Sequence, residues 1–273
     1  MAGGYLRAAG NGENRNMSVA RACILAAGIG NRLGDFGADL QDKPPKALLE
    51  FGGKSLLARH LENLARIGVD SVAIGTGYRA DDLRTAALAA GFPGDITFVH
   101  NPNYTEGSVI TMAVLGDAMT NAGGPVILMD ADVLYDPRMM ARLANSAHAN
   151  CLLVDRDFEE GDEPVKICVR GDTELVDFRK IVETPFDWCG ESVGFFKWSP
   201  AMAVNLIERA AAYIARGDRE APYEEVIRDA ILAAPHEFAF EDITGTPWVE
   251  IDFPEDVAKA TSEILPLIET GIR

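Results

Sequence analysis

The chain alternates between short apolar runs and amphipathic segments from residue 21 onward. Residues 21–27 form a continuous apolar run that stops at glycines, which is typical of a parallel strand buried on both faces. The segments that follow are predicted as helices over 55–67, 80–90 and 108–118, and as strands over 71–76, 96–100 and 125–129. This alternation with short links predicts a parallel, right-handed, doubly wound α/β sheet.

The pattern changes after about residue 150, where strand-like pieces carry hairpin signals. Predicted strands cover 151–154, 165–170, 174–178, 192–198 and about 238–243, and predicted helices cover 200–216, 223–233 and 254–268. No internal repeat or low-complexity linker separates the two halves, so a single domain over 21–273 is expected. Residues 1–20 are rich in Gly, Asn and Arg and lack the apolar stretch of a secretory signal. They are predicted to be a disordered leader, with Met17 as an alternative start.

Composition narrows the function classes. The chain is 48% hydrophobic and 25% charged, as expected of a folded protein, and its net charge is −17. That charge argues against a nucleic-acid or membrane partner, but a few cations in one cleft could still bind a small anion. The four cysteines show no metal-ligand spacing, and Cys23, Cys151 and Cys168 lie in apolar runs. A cytoplasmic location is expected.

A glycine-rich loop follows the first predicted strand. Residues 25–33 read LAAGIGNRL, and glycines there would let loop N–H groups surround a phosphate. A dinucleotide-binding loop would need a third glycine, where the chain has Leu33. Pro44 and Pro45 fix an extended segment ahead of Lys46, so Lys46 and Arg32 could converge on a polyphosphate. The alternative is a surface turn with solvated cations.

The two segments together carry a family resemblance. LAAGIGNRL at 25–33, followed by PKALLEFGGKSL at 45–56, closely resembles the signature of nucleotidyltransferases that activate sugar phosphates and phospho-alcohols. The likeness extends over about residues 21–260, and WVEIDFPEDV at 248–257 is more similar to the bacterial phosphocholine cytidylyltransferase branch. The resemblance implies a Rossmann-like nucleotidyltransferase fold: a doubly wound, mostly parallel sheet with a mixed second half. Residues 21–150 would then bind the nucleotide, and residues 151–273 the acceptor.

Two aspartates are candidates for a metal site. Asp132 follows a predicted central strand and Asp252 ends another, and ligands of open α/β sheets bind beyond the carboxyl ends of strands. Transfer between two anions requires charge neutralisation, which Mg²⁺ on carboxylates supplies. The resemblance implies that Asp132 and Asp252 hold this ion. Asp130 is a competitor, and a solvated strand-end role is the alternative for each.

The resemblance also implies residues for the nucleotide and the acceptor. The predicted nucleotide-binding residues are Ala26, Ala27, Gly28, Gly30, Gly77, Tyr78, Gly107 and Ser108. The predicted acceptor-binding residues are Lys166, Trp188, Glu191, Tyr223 and Glu250, because aromatic faces near carboxylates suit a cationic head such as choline or an ethanolamine-type amine. Plainer alternatives are a helix N-cap for Ser108, core packing for Trp188 and a solvent-facing position for Lys166.

These inferences together predict a Mg²⁺-dependent cytidylyltransferase. A phosphate or phosphonate oxygen of the acceptor, phosphocholine or 2-aminoethylphosphonate among the candidates, would attack the α-phosphate of CTP and release pyrophosphate. Arg32 would stabilise the departing pyrophosphate and Lys46 the charge at the α-phosphate. The alternatives are a hexose-1-phosphate nucleotidyltransferase and a non-catalytic nucleotide sensor. A homodimer through the strands of the second half stays open.

Overall fold

A computed structural model describes residues 18–33 and 43–271 of the chain. The predicted leader therefore lies outside the described residues as far as residue 17, and so does Met17. Within the remainder of that segment, Val19 is buried in the core and the Ala20 amide donates to the Pro125 carbonyl at 2.8 Å.

The secondary structure alternates between strands and helices, with the strands concentrated in one large sheet. The strands are β1 (Arg21–Ala26), β2 (Glu50–Phe51), β3 (Lys54–Ser55), β4 (Ser71–Thr76), β5 (Asp95–His100), β6 (Val126–Asp130), β7 (Val133–Tyr135), β8 (Cys151–Asp155), β9 (Lys166–Arg170), β10 (Glu174–Arg179), β11 (Trp188–Trp198), β12 (Ala239–Asp242) and β13 (Trp248–Glu250). The helices are α1 (Leu56–Arg66), α2 (Ala80–Ala89), α3 (Ser108–Val114), α4 (Gly116–Thr120), α5 (Pro137–Asn145), α6 (Pro200–Ala215), α7 (Tyr223–Ala233), α8 (Pro254–Lys259) and α9 (Leu265–Gly271).

The large sheet has a parallel half and a mixed half, as the sequence predicts. Its main path runs β10-β9-β11-β6-β1-β4-β5, with β8 and β12 attached beside β11. β6, β1, β4 and β5 are parallel, whereas β11 runs antiparallel to β6, β8 and β9. The predicted doubly wound α/β fold with a mixed second half is confirmed.

Strand β1 is buried on both faces, which explains its unbroken apolar sequence. Ala22 and Ile24 belong to the core beneath α1, α2 and α5, and Cys23 belongs to the core beneath α3, α4, α6 and α7. The prediction that Cys23, Cys151 and Cys168 are core residues is confirmed, since each is buried. No helix within the described ranges combines the length and the apolar character needed to cross a bilayer.

The structure differs from the predicted elements at several places, among them the helix predicted over 254–268, which is divided into α8 and α9 by residues 260–264. The helix predicted over 108–118 is divided into α3 and α4, with Leu115 between them. Helix α5 and strand β7 were not predicted, although Asp136 caps α5 through the Arg138 amide and Pro137 follows as a helix-start signal. β11 begins four residues earlier than predicted, at Trp188, because its first residues pair with β9 and its last with β6.

Candidate functional site

A cavity of about 370 Å³ opens at the carboxyl ends of β1 and β6, where open α/β sheets bind ligands. Its wall combines the loop after β1, the segment around Lys46, the ends of β6 and β13, and the start of α7. The lining residues are Leu25, Ala26, Ala27, Gly28, Gly30, Arg32, Pro45, Lys46, Ala47, Tyr104, Glu106, Ser108, Thr111, Asp130, Asp132, Tyr223, Glu224, Glu250 and Asp252. We call this space the central cavity.

The loop after β1 is shaped to receive the side chain of Lys46. Gly30 has φ +69°, and a Cβ atom there would stand 2.8 Å from the Cγ of Lys46. The Lys43 ammonium donates to the Gly30 carbonyl, which ties the loop to the segment before Lys46. Pro45, with φ −52° and ψ 141°, then leads into a single helical turn that starts at Lys46. The glycine and the proline together aim the lysine into the central cavity.

A short two-stranded ladder brings the predicted metal ligands together. β7 pairs antiparallel with β13, and the Ile251 amide donates to the Asp132 carbonyl at 2.9 Å. Carboxylate oxygens of Asp132, Glu250 and Asp252 all lie within 4.8 Å of one another. Three carboxylates at this spacing fit a hard divalent cation, which prefers oxygen ligands. Glu250 joins the two predicted aspartates because it is two residues from Asp252 on the same face of the strand.

Two cations from the predicted phosphate-binding segments meet these carboxylates. The Lys46 Nζ atom lies 2.9 Å from Asp132 Oδ2 and 2.5 Å from Asp252 Oδ1, and Arg32 Nη2 lies 3.0 Å from Asp252 Oδ2. Burial disfavours the charge on Lys46, but the attraction of Asp132 and Asp252 outweighs it, so the pKa of Lys46 is raised above its ordinary value. The charged form of Lys46 is therefore favoured within the acidic wall.

Three carboxyl groups of the central cavity are largely buried: Asp130, Glu224 and Glu250. Asp130 Oδ2 accepts a hydrogen bond from the Tyr223 hydroxyl at 2.6 Å, and Gly194 leaves room for that carboxyl, since a Cβ there would stand 2.1 Å from it. Burial, followed by the charge of neighbouring acids, raises the pKa of Asp130 and Glu250 well above their ordinary values. Burial likewise raises the pKa of Glu224 to about 7. The negative charge of these buried carboxyl groups therefore has to be offset by protonation or by a bound cation.

A second cavity, of about 540 Å³, adjoins the first through Glu250 and Asp252. We call it the acidic cavity, because the described residues that line it include ten carboxylic acids and one cation, Lys259. The acids are Asp155, Asp157, Glu159, Glu160, Asp162, Glu163, Glu191, Glu250, Asp252 and Asp256. Burial, followed by the nearby charge of Asp155, raises the pKa of Glu191 to about 7. Such a surface favours a cationic ligand over an anionic one.

The structure brings most of the predicted site residues to these two spaces. Those that line the central cavity are Ala26, Ala27, Gly28, Gly30, Arg32, Lys46, Ser108, Asp132, Tyr223, Glu250 and Asp252. Glu191 lines the acidic cavity, where Glu250 and Asp252 also contribute. The residues that line neither are Gly77, Tyr78, Gly107, Lys166 and Trp188.

Three of the residues outside both cavities lie directly behind the wall of the central cavity. A Cβ on Gly77 would stand 2.3 Å from the Cβ of Tyr104, and the Tyr78 amide donates to the Ala27 carbonyl at 3.0 Å. A Cβ on Gly107 would stand 2.4 Å from the Ala221 carbonyl oxygen. These positions let lining segments pack closely. Gly107 also takes the N-cap position that the alternative reading gave to Ser108, whose hydroxyl instead accepts from the Tyr223 amide.

Lys166 and Trp188 are occupied by contacts of the second half. The Lys166 ammonium donates to the carbonyls of Gly161 and Lys180, at 2.6 and 2.7 Å. The Trp188 indole donates to the Gly171 carbonyl at 3.0 Å. The Arg156 guanidinium lies over the Trp188 ring, 4.4 Å from the ring centroid. Both contacts fasten loops to strands in the second half of the chain.

Several lining residues were not among the predicted site residues. Glu224 stands beside the predicted Tyr223, in the first turn of α7. Tyr104, Glu106 and Thr111 come from the segment before and within α3. Behind the wall, His60 Nε2 lies 3.0 Å from the carbonyl oxygen of Ala131, the residue between Asp130 and Asp132. Burial lowers the pKa of His60 to about 4. A histidine on the buried face of a helix gives no sequence signal of that contact.

Comparison with known families agrees with this geometry. A family model described as the MobA-like NTP transferase domain matches residues 22–180, which is more than half of the chain. The chain belongs to this family. The resemblance to nucleotidyltransferases that the two N-terminal segments carry is thereby confirmed.

Curated relatives of this family member cover most of its length. The CMP-5'-(3-aminopropyl)phosphonate synthase of Streptomyces rubellomurinus is 27% identical over 270 residues, which cover 93% of this chain and 41% of that protein. The bifunctional IPC transferase and DIPP synthase of Rubrobacter xylanophilus is 25% identical over 253 residues, which cover 92% of this chain and 53% of that protein. The chain thus spans roughly two fifths to one half of the length of these relatives.

Two solved structures share the fold of the family member. The inositol-1-phosphate CTP transferase of T. maritima superposes with a TM-score of 0.71 at 18% identity, covering 93% of this chain and 96% of that one. The CTP:phosphocholine cytidylyltransferase of Streptococcus pneumoniae superposes with a TM-score of 0.70 at 22% identity, covering 91% and 100%. Both likenesses confirm the nucleotidyltransferase fold.

Proposed function

We propose that the chain is a cytidylyltransferase that activates a small phosphonate or phosphate carrying a cationic head. The observation that carries this proposal is a cluster of ion pairs at the carboxyl ends of the parallel strands. Lys46 pairs with Asp132 and Asp252, and Arg32 pairs with Asp252. A binding module would need the cations for a triphosphate but not a compact carboxylate set beside them. Transfer between two anions needs both.

In the proposed reaction, an oxygen of the acceptor attacks the α-phosphorus of CTP. The new P–O bond forms as the bond between the α-phosphorus and its β-bridging oxygen breaks, and pyrophosphate leaves with that electron pair. The amides around Gly28 and Gly30 bind the triphosphate, Lys46 offsets charge at the α-phosphate, and Arg32 receives the pyrophosphate. The chain supplies positioning and charge rather than a nucleophile.

Asp132, Glu250 and Asp252 would hold a divalent ion, for which Mg²⁺ is the proposed identity. Their oxygens fit such an ion because they lie within 4.8 Å of one another on three separate side chains. When bound, the ion polarises phosphoryl oxygens and neutralises charge that builds up during transfer. Lys46 contacts two of these three carboxylates, Asp132 and Asp252, and so helps to hold them in place.

CTP and a cationic acceptor are supported by different observations. The names of the relatives in Streptomyces, T. maritima and Streptococcus specify CMP or CTP, and this supports cytosine as the base. The acidic cavity supports a cationic acceptor, since ten acids surround a space that contains one lysine. The uncharged sugar of a hexose phosphate would gain nothing from this charge.

A pyrophosphate-release assay tests the proposal. Four nucleoside triphosphates are crossed with 2-aminoethylphosphonate, phosphocholine, phosphoethanolamine, inositol phosphate and glucose-1-phosphate, each with and without Mg²⁺. Turnover is expected with CTP and a cationic acceptor, only with Mg²⁺, and it should vanish in Asp252→Asn but persist in Asp117→Asn, a change at an exposed aspartate of α4 outside both cavities. Turnover restricted to a hexose phosphate, or none in the whole grid, would contradict the proposal.

A further inference from the structure

We propose that the head of the acceptor is a primary ammonium, and that Glu224 is the residue that selects it. This inference rests on the function proposed above and names the substrate class more narrowly. The names of the relatives do not decide the point, because they include both an aminopropylphosphonate and a phosphocholine. The choice between them follows from the hydrogen-bonding state of the cavity wall.

The decisive observation is an acceptor atom without a donor. Glu224 lines the central cavity, and its Oε2 atom is buried but has no hydrogen-bond partner among the described residues. Its neighbour Asp130 is satisfied by the Tyr223 hydroxyl at 2.6 Å. A buried carboxyl oxygen with no partner is costly, so its presence in a cavity wall calls for a donor from the ligand.

The carboxyl of Glu224 is not one of the candidate metal ligands. Within the described part of the chain, the set of side chains whose oxygens are close enough to hold an ion is Asp132, Glu250 and Asp252. Glu224 is outside that set. Its free oxygen is therefore available to a group of the acceptor rather than to the ion.

The chemistry of the two candidate heads separates them sharply. A primary ammonium carries three N–H donors, whereas a trimethylammonium carries none and is bound by the faces of aromatic rings. In the lining of the central cavity the aromatic residues are Tyr104 and Tyr223. Tyr223 is committed elsewhere, since its hydroxyl bonds Asp130 and its ring packs edge-on against Phe196 at 6.1 Å. A donor-rich head fits this wall, and a methylated one would leave Glu224 unsatisfied.

Two of the three aromatic residues that line the neighbouring acidic cavity have contacts of their own. Its Phe253 ring already lies under the Arg32 guanidinium, 5.6 Å from the centroid. Its Trp248 indole donates to Asp155 Oδ2 at 2.7 Å. The carboxylates there favour any cation, so they raise the affinity for both heads without distinguishing them.

The test compares three acceptors of equal length: 2-aminoethylphosphonate, its N,N,N-trimethyl analogue and 2-hydroxyethylphosphonate. With CTP and Mg²⁺, the unaltered chain should show kcat/KM at least about 10-fold higher for the primary amine than for the trimethyl analogue. Glu224→Gln should lower kcat/KM for the amine about 10- to 100-fold, mainly through KM, and change that for the hydroxyl compound little. The matched control is Glu225→Gln, on the same helix as Glu224, where the carboxylate removed is paired with Arg179. It should leave kcat/KM for all three acceptors unchanged.

Binding measured by calorimetry keeps this inference separate from the proposed function. The three acceptors are titrated into the protein with Mg²⁺ and a non-hydrolysable CTP analogue. Failure of every acceptor to release pyrophosphate would overturn the proposed function, while the ranking of affinities would still decide the preferred head. Equal or tighter binding of the trimethyl analogue, or an equal loss for amine and hydroxyl compounds in Glu224→Gln, would overturn the primary-ammonium proposal.

Discussion

Individual side chains determine what the central cavity can do, and Lys46 is the most informative of them. Its ammonium contacts both Asp132 and Asp252, and their charge favours the protonated form of the lysine. Replacement by alanine should lower kcat about 10²–10³-fold, the cost of removing one preorganised electrostatic donor. Steady-state pyrophosphate release measures the effect.

The control for this substitution is Lys54→Ala, because Lys54 is exposed and pairs with Glu62 of α1 rather than with the cavity. It should retain nearly full activity. A Lys46→Ala variant with kcat close to that of the unaltered chain would show that the lysine does not act on the transferred group.

The chemistry of the site was more predictable at some residues than at others. Asp132 and Asp252 could be named because each follows an apolar strand within a recognisable segment. Glu224 could not, because an acid in the first turn of a helix is common, and its buried, unpartnered oxygen is a consequence of tertiary packing. Lys166 and Trp188 illustrate the converse: the residue types suit an acceptor site, but their polar atoms bond backbone carbonyls.

Loops and their neighbouring elements place these side chains, and the loop after β1 can be tested directly. Gly30→Ala would strain a backbone with φ +69° and push a methyl group to 2.8 Å from the Lys46 side chain. The expected result is a fall in kcat/KM of about tenfold or more, since small misplacements of a catalytic group are costly.

Gly53→Ala is the control for Gly30→Ala, because it strains the backbone without displacing a neighbouring side chain. Gly53 lies in the turn between β2 and β3 with φ +73°, and a Cβ there would meet no atom within 4 Å. The free energy of unfolding of the Gly53→Ala variant should fall by about 1–2 kcal/mol, which is the cost of the left-handed conformation for alanine. Its activity should be unchanged. Equal activity losses in the two variants would mean that Lys46 is not positioned by the space at Gly30.

The predictable elements are those with a strong periodic pattern. β4 was predicted at its observed limits, and α7 likewise, because each is a clear apolar or amphipathic run. The break between α3 and α4 depends on long-range packing: a Cβ on Gly116 would stand 3.0 Å from Ile207 of α6. The β7–β13 ladder, which unites the carboxylates, joins residues more than a hundred positions apart and has no local signature.

At the scale of the whole molecule, the acids around the acidic cavity give the chain a pH-dependent stability. Burial raises the pKa of Glu191 to about 7, above its ordinary value of 4.5. Between those values the folded state keeps a proton that the unfolded chain has lost, so this group's contribution to stability is lost as pH rises.

Glu191→Gln removes that dependence because an amide stays neutral. The free energy of unfolding is measured in urea without divalent ions. The difference between the variant and the unaltered chain should shift in favour of the variant by about 1–3 kcal/mol from pH 5 to pH 8. Glu174→Gln, at an exposed glutamate of β10, is the control and should show the same difference at both pH values. A constant difference for Glu191→Gln as well would refute the burial effect.

The most direct measurement follows the two phosphorus atoms of the proposed reaction by ³¹P NMR. The chain is incubated with CTP, 2-aminoethylphosphonate and Mg²⁺. The predicted result is a pair of mutually coupled resonances, one from the phosphonate and one from the α-phosphate, appearing together with an equal amount of pyrophosphate. An unchanged phosphonate resonance, with CTP either intact or hydrolysed to free CMP, would contradict cytidylyl transfer to such an acceptor.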